Sequence, residues 1–233
     1  MCWISLICVS GCTPFESRQN EGTKLVFTFD DADRSIYELA FPMMQEYGFR
    51  GTNFVNSNSV GNPALLSWEE LREMELDYAW ETGAHTLNHE DLTQISPMEA
   101  MQNISQDRLR LIDEGLSPRS FALPKGQAPA QIYQFLGDLF SNIRSSSDFA
   151  MYHPVNRHSL GYLPVQSGWS ADIIKSRILR GLANRETLII IGFHRFDADE
   201  NVFSDSCSSD TFREILDFAD QLNLQIIPLA EAF

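Results

Sequence analysis

Residues 24–31 read Lys-Leu-Val-Phe-Thr-Phe-Asp-Asp, an apolar run that ends in two adjacent carboxylates. The run from 24 to 29 has the length and apolar content of one buried strand. Asp30 and Asp31 then lie just beyond the C-terminal end of that strand. Active sites of parallel β/α barrels are assembled from such strand ends, so this stretch indicates both a fold class and a candidate site.

Strand-like and helix-like segments alternate along the rest of the chain. Two helices open with the capping-box pattern Ser-x-x-Glu, at 67–70 and 96–99. We predict strands at 24–29, 51–55, 120–123, 162–165, 187–193 and 225–229, with another beginning at Trp80. We predict helices at 35–47, 67–77, 96–115, 131–139, 171–183 and 211–222. Strands separated by helices require parallel crossovers, so the pattern predicts a closed β/α barrel rather than an open sheet.

Composition limits the number of domains and the classes of partner. A chain of 233 residues with 43% hydrophobic content can bury one substantial core, so we predict one catalytic domain, residues 24–233, and expect a monomer. Because 32 acidic residues outnumber 17 Lys and Arg, the net charge of -15 disfavours nucleic acid as a partner. Neutral or cationic substrates are compatible with this charge. A well-solvated surface would explain the acidity equally well.

The first residues have the composition of a targeting segment. Residues 1–11 are uncharged, mostly apolar and too short to span a bilayer, which predicts a signal peptide. Val9-Ser10-Gly11-Cys12 resembles a bacterial lipoprotein cleavage box, so we expect a lipid on Cys12 and a tether over 12–23. The protein would then be exported and anchored in the cell envelope, contacting the membrane only through that lipid. An ordinary signal peptide or a buried strand are the alternatives.

Three histidines complete a set of possible metal ligands and proton carriers. His85 and His89 are four residues apart, a spacing that puts both imidazoles on one face of a helical turn, where one metal can bind both. His194 directly follows the predicted strand 187–193. Together with Asp30 and Asp31, these residues predict a hydrolytic metal site with a position open for water.

The order and spacing of several motifs match a known family. The chain resembles the polysaccharide deacetylase (NodB-homology) family, a group of carbohydrate esterases that includes chitin deacetylases. The resemblance spans about 24–233 and implies a distorted parallel β/α barrel of about seven strands. The matching runs are Thr-Phe-Asp-Asp at 28–31, Tyr-Gly-Phe-Arg-Gly-Thr-Asn-Phe-Val at 47–55, Gly-Ala-His-Thr-Leu-Asn-His at 83–89, Ser-Phe-Ala-Leu-Pro-Lys-Gly at 120–126, and Phe-His at 193–194.

The resemblance also implies a role for each matching residue. Asp31, His85 and His89 would hold a divalent metal, most simply zinc, and leave positions for water and the substrate carbonyl. Asp30 would be the general base, and His194 would protonate the leaving amine.

The third and fourth motifs depart from the family pattern. Ala122 stands where many members carry an arginine that orients the base, and Arg157 is our candidate for the missing guanidinium. Lys125 replaces an aromatic residue. Its backbone N–H is our candidate oxyanion donor, with Pro124 and Lys125 lining the substrate site. Trp169 is our candidate for stacking on a sugar ring, although its region lacks the Asp of the family motif.

The resemblance implies a hydrolase that removes acetyl groups from polysaccharides containing N-acetylglucosamine, such as exopolysaccharide, peptidoglycan or chitin. Two alternatives stay open. The first is a glycan-binding domain that has lost catalysis, because the altered motifs surround the base and the acid. The second is an O-acetyl esterase or a small-molecule amide hydrolase of the same fold.

Overall fold

A seven-stranded sheet, parallel throughout, forms the centre of the computed structural model. The structure describes residues 22–145, 147–197 and 204–233. The predicted signal peptide, Cys12 and most of the tether lie outside the described residues. In chain order the sheet strands are β1 (Lys24–Asp30), β2 (Thr52–Val55), β3 (Glu81–Ala84), β4 (Ser120–Ala122), β5 (Asn142–Arg144), β6 (Leu163–Pro164) and β7 (Leu188–Phe193).

Helices follow most of the strands and pack against the outside of the sheet. They are α1 (π-helical over Ile36–Ala40, then Phe41–Glu46), α2 (Trp68–Arg72, continued as a π-helix over Glu73–Asp77), α3 (Pro97–Asp113), α4 (Ala130–Leu139), α5 (Ala171–Ala183) and α6 (Ser209–Gln221). A small parallel pair, β8 (Arg195–Asp197) and β9 (Ser206–Ser208), follows β7. None of the helices in the described ranges combines the length and the apolarity that a bilayer span requires.

The sheet curls into a distorted barrel, as the sequence predicted. The strand order is β5-β4-β3-β2-β1-β7-β6, so β5 and β6 are the edges. The segment leading into β6 closes this gap through one parallel bridge between Leu160 and Arg144 of β5. Leu160 donates its N–H to the Ile143 carbonyl at 2.9 Å and accepts the N–H of Ser145 at 2.8 Å. The barrel is therefore joined at this seam by one short bridge rather than by a full strand pair.

Side-chain alternation along β1 creates two cores. Leu25, Phe27 and Phe29 belong to the large apolar core that also takes side chains from the helices. Val26 belongs to a smaller cluster with Phe54 and Ala122 from other strands, which fills the barrel interior. Alternation places Thr28 and Asp30 on the face of Val26. Asp30 is therefore on the interior face of β1, and its carboxylate lies at the mouth of the barrel.

One predicted strand is absent, and one strand of the sheet was not predicted. Residues 225–229 do not form a strand, because only Ile226 bridges β1, and a 3₁₀ turn begins at Leu229. Pro228 has no N–H to donate, and the N–H of Leu229 bonds the Thr52 hydroxyl instead of a neighbouring strand. The predictions also omitted β5. Its three residues, Asn-Ile-Arg, are too few and too polar to produce a strand signal, yet all are buried.

A polar layer lines the barrel interior at the end opposite the two aspartates. The Glu81 carboxylate is 5% exposed and accepts hydrogen bonds from the Thr52 hydroxyl at 3.0 Å and from the Ala230 N–H at 2.8 Å. Burial raises the pKa of Glu81 even though these hydrogen bonds oppose the shift. This carboxylate fixes the C-terminal segment across the base of the barrel.

The raised pKa of Glu81 predicts a specific pH dependence of stability. The folded protein retains the Glu81 proton at pH values where the unfolded chain has lost it, so the contribution of Glu81 to the free energy of unfolding should fall as pH rises from about 4. In urea titrations across pH 4–8, the stability advantage of wild type over Glu81→Gln should shrink with rising pH. The exposed Glu38→Gln is the control and should follow wild type at every pH. Parallel curves for wild type and Glu81→Gln would contradict this account.

Candidate active site

The carboxyl ends of three strands bring the predicted aspartates and histidines together at the mouth of the barrel. Asp30 is the last residue of β1, and Asp31 follows it in a backbone conformation with φ 66°. His85 follows β3, and His194 follows β7. These residues come from distant parts of the chain, and the parallel sheet places them at one edge.

Asp31, His85 and His89 form a cluster suited to a metal ion. Their ligand atoms all lie within 4.8 Å of one another. The Nε2 atoms of His85 and His89 are 3.7 and 3.8 Å from Oδ1 of Asp31. The Asp31 and His89 side chains are 36% and 30% exposed, so the cluster opens to solvent on one side. Two imidazoles and one carboxylate with an open side are the ligand arrangement of a catalytic zinc site.

The surroundings of these side chains fit a bound cation. Oδ1 of Asp31 is buried and has no hydrogen-bond partner among the described residues. Nδ1 of His85 lies 2.8 Å from the Ala122 carbonyl, so this nitrogen carries the proton and Nε2 keeps its lone pair for a metal. Burial lowers the pKa of His85, although Asp30 and Asp31 oppose this shift, and the ring is therefore neutral as a ligand must be.

The histidine pair does not lie on a helical turn, so that part of the prediction was wrong. The chain from His85 to His89 is irregular, and Thr86 and His89 have φ values of 69° and 61°. The imidazoles still meet, with ring centroids 4.9 Å apart. Such left-handed conformations are unfavourable for residues other than glycine and persist only where the surroundings enforce them.

Helix α3 supplies that enforcement. Its buried Asp107 accepts the backbone N–H groups of Ser57 and His85, each at 3.1 Å. One turn earlier, Asn103 accepts the N–H of Leu87 at 2.9 Å. Burial raises the pKa of Asp107 to about 6, although the hydrogen bonds to it oppose the shift. These two side chains therefore hold the loop from His85 to His89, here called the ligand loop, to helix α3 and so help to fix the positions of the two histidines.

Asp30 is held by a buried arginine that the sequence analysis did not identify. Nη2 of Arg144 donates to Oδ2 of Asp30 at 2.5 Å, and both side chains are almost completely buried. Burial alone would raise the pKa of Asp30, but its neighbours, chiefly the charged and hydrogen-bonded Arg144 guanidinium, lower it. Asp30 is therefore a carboxylate at neutral pH. Nε2 of His194 lies 3.8 Å from Oδ2 of Asp30, so the two side chains are neighbours in the site.

Arg144 takes the role that we assigned to Arg157. Nε of Arg157 instead donates to Oδ1 of Asn142 at 3.1 Å, and its guanidinium lies over the Phe233 ring at 4.7 Å. Arg144 is the direct partner of Ala122 in the β4–β5 register. The guanidinium therefore comes from the neighbouring strand at the same height in the barrel, and the small Ala122 side chain leaves it room.

The other residues that we predicted to contact the substrate, Pro124, Lys125 and Trp169, differ in their exposure to solvent. Pro124 is buried, and the Lys125 side chain is exposed on a backbone with φ 56°, directly after β4. The positive charge of Lys125 acts on Asp91, two residues beyond His89, so this loop borders the ligand loop. Trp169 is partly buried against the large core, so packing accounts for its position.

Sequence reasoning missed Arg144, Asp107 and Asn103 for a common reason. Each acts through a contact with a residue more than ten positions away, and none belongs to a motif. A usable signal for Arg144 was the absence of arginine at Ala122, because the base still needed a cation. For Asn103 and Asp107, the signal was their spacing of four residues, which places two polar side chains on the same face of an amphipathic helix.

Comparisons with known proteins indicate the family of the chain. A poly-beta-1,6-N-acetyl-D-glucosamine N-deacetylase of Staphylococcus aureus (strain MRSA252) is 33% identical over 79 residues, which cover 32% of this chain and 27% of the relative. The matched part therefore spans little more than a quarter of that enzyme.

Solved structures share the fold over a larger part of the chain. The Xyl-CE4 domain of a multidomain xylanase from the hindgut metagenome of Trinervitermes trinervoides has a TM-score of 0.65 at 14% identity, covering 91% of this chain and 90% of that one. Peptidoglycan deacetylase PdaC from Bacillus subtilis has a TM-score of 0.57 at 18% identity, covering 91% of each chain. The family model described as polysaccharide deacetylase matches residues 17–139, more than half of the sequence. The chain therefore belongs to the polysaccharide deacetylase family.

Proposed function

We propose that this protein is a metal-dependent hydrolase that removes acetyl groups from a polysaccharide containing N-acetylglucosamine. One observation carries the proposal. A solvent-open Asp31, His85 and His89 cluster lies beside a buried, ionised Asp30, which faces His194 across 3.8 Å. Metal ligands, base and acid are thus within reach of one small substrate group.

Asp31, His85 and His89 would hold the cation, and zinc suits their two imidazoles and one carboxylate. A divalent cation bound there supplies a Lewis acid that polarises the acetyl carbonyl and increases the acidity of water. Asp30 accepts the proton of the attacking water. Arg144 keeps that carboxylate in one orientation and ionised, so it is ready to act as a base at neutral pH.

The same arrangement provides for the leaving group. Water adds to the acetyl carbon, the carbon–nitrogen bond breaks, and the products are acetate and a free amine. His194 donates the proton that the departing nitrogen needs. The backbone N–H of Lys125 is our proposed donor to the oxygen that becomes negative during attack.

The substrate class follows from charge and from the relatives. The staphylococcal relative is named for deacetylating poly-beta-1,6-N-acetyl-D-glucosamine. Deacetylation turns a neutral glycan into a cationic one, and a chain of net charge -15 does not repel such a product. We further propose that the protein is exported and is attached to the cell envelope by a lipid on Cys12, where such polymers are found.

Loss of a ligand should remove the metal. After zinc loading and dialysis, wild type should retain about one equivalent, whereas Asp31→Ala and His89→Ala should retain far less, as measured by elemental analysis. His153→Ala changes an exposed histidine outside the site and should behave as wild type. Full zinc content in both site variants would refute the ligand assignment.

Asp30→Asn should separate catalysis from metal binding. The variant should keep its zinc but lose at least about 100-fold in the rate of acetate release from N-acetylglucosamine oligomers, because an amide cannot accept the proton. Asp138→Asn, an exposed substitution on α4, is the control. Unchanged turnover would remove Asp30 from the mechanism. Release of acetate only from acetylated xylan would favour the esterase, and glycan binding without any release would favour the binding domain.

The proposed anchor can be tested in a bacterial host. Full-length protein should incorporate radiolabelled palmitate and fractionate with membranes, and Cys12→Ser should do neither. Cys207→Ser is the matched control, because Cys207 is a buried free thiol within the folded domain. Equal labelling of Cys12→Ser would exclude the anchor.

A further inference from the structure

We propose that Tyr162 is a positioning residue whose ring holds the Arg144 guanidinium against Asp30. The inference rests on the proposed function, because it concerns how the general base is kept in place. It gives a task to a residue outside every motif that the sequence analysis used.

The hydrogen bonds of Arg144 leave its orientation incompletely determined. Nη2 bonds Asp30, whereas Nε and Nη1 are buried without a hydrogen-bond partner among the described residues. Tyr162 also contributes a side-chain hydrogen bond to the Arg144 charge. A guanidinium held by so few directed bonds needs a further contact to fix its plane. Stacking on an aromatic face does this, and it also offsets part of the cost of burying the charge.

Tyr162 provides the closest such face. Cζ of Arg144 lies 3.8 Å from the centroid of the Tyr162 ring and 5.0 Å from that of Phe54. Tyr162 is partly exposed, whereas Arg144 is only 1% exposed. The tyrosine ring therefore forms part of the cover that separates the ion pair from solvent, and a dry pair interacts more strongly than a wet one.

The backbone of β7 is adapted to this ring. Tyr162 immediately precedes β6, whose Pro164 pairs with Gly192 of β7. A Cβ atom added at Gly192 would lie 2.4 Å from Cδ2 and Cε2 of Tyr162. Glycine at this position lets the ring lie directly on the strand. Two neighbours, Gly192 and Arg144, thus define where the ring can be.

Three variants test the proposal: Tyr162→Phe, which keeps the ring, Tyr162→Leu, which removes it, and Gly192→Ala, which displaces it. On zinc-loaded protein, Tyr162→Leu and Gly192→Ala should lower kcat about tenfold or more, with KM within about twofold and zinc content unchanged. Tyr162→Phe should stay within about threefold of wild type. Melting temperatures identify any variant that fails to fold.

A second readout does not depend on activity. In metal-free protein with labelled arginine, the Nε–H signal of Arg144, assigned by its loss in Arg144→Lys, reports how well the guanidinium is covered. Its exchange with solvent should accelerate at least about tenfold in Tyr162→Leu and Gly192→Ala but not in Tyr162→Phe.

The outcomes distinguish this inference from the proposed function. Slow exchange and full kcat in folded Tyr162→Leu would overturn the positioning role. So would a Tyr162→Phe variant as impaired as Tyr162→Leu, because the hydroxyl rather than the ring would then matter. If wild type releases no acetate while the exchange pattern is as expected, the proposed function fails and the positioning of Arg144 stands.

Discussion

The buried ion pair between Arg144 and Asp30 is the constraint on which the rest of the site depends. A carboxylate that is 3% exposed would ordinarily take up a proton, and a protonated Asp30 could not act as a base. The guanidinium keeps the carboxylate ionised. The aromatic rings of Phe54 and Tyr162 lie against the guanidinium and keep water from weakening the ion pair. Leaving either charge without its partner in such surroundings costs about 3–5 kcal/mol. The two charges are therefore stable in the barrel interior only as a pair.

Backbone strain is concentrated in the loops around this pair. Asp31, Ala32, Thr86, His89 and Lys125 all have positive φ, and each lies in a loop that follows the C-terminal end of a barrel strand. Each such residue costs of order 1–2 kcal/mol relative to an ordinary conformation. The sheet, together with Asp107 and Asn103 on α3, offsets this cost through hydrogen bonds to the loops. Part of the stability of the strands and helices thus compensates for the strained loops that position the proposed metal ligands and the proposed base.

The sequence was sufficient for the fold class and for the motif residues that the fold brings together at the mouth of the barrel, because both have local signals. Long apolar runs predict strands such as β7, and His85, His89 and His194 occur in recognisable motifs. Prediction failed where a residue's role depends on register. The β5 strand has three residues, so no periodicity reveals that Arg144 points into the barrel. For residues 225–229 the error was the reverse, because we predicted a strand where none forms. Their apolar pattern reflects burial against the base of the barrel rather than strand pairing.

The register between β4 and β5 shows how the site tolerates the altered third motif. Ala122 and Arg144 are direct partners in the register of β4 and β5. A long cationic side chain on β5 therefore starts one strand away from a side chain at position 122, but at the same level along the barrel axis. The backbone of Ala122 keeps a separate task, because its carbonyl accepts the His85 Nδ1 proton whatever side chain the residue has. Strand β4 thus orients His85, a proposed metal ligand, through its main chain, while β5 supplies the charge that orients Asp30, the proposed base. Because the two tasks use different atoms, the loss of one motif residue need not cost the site either of them.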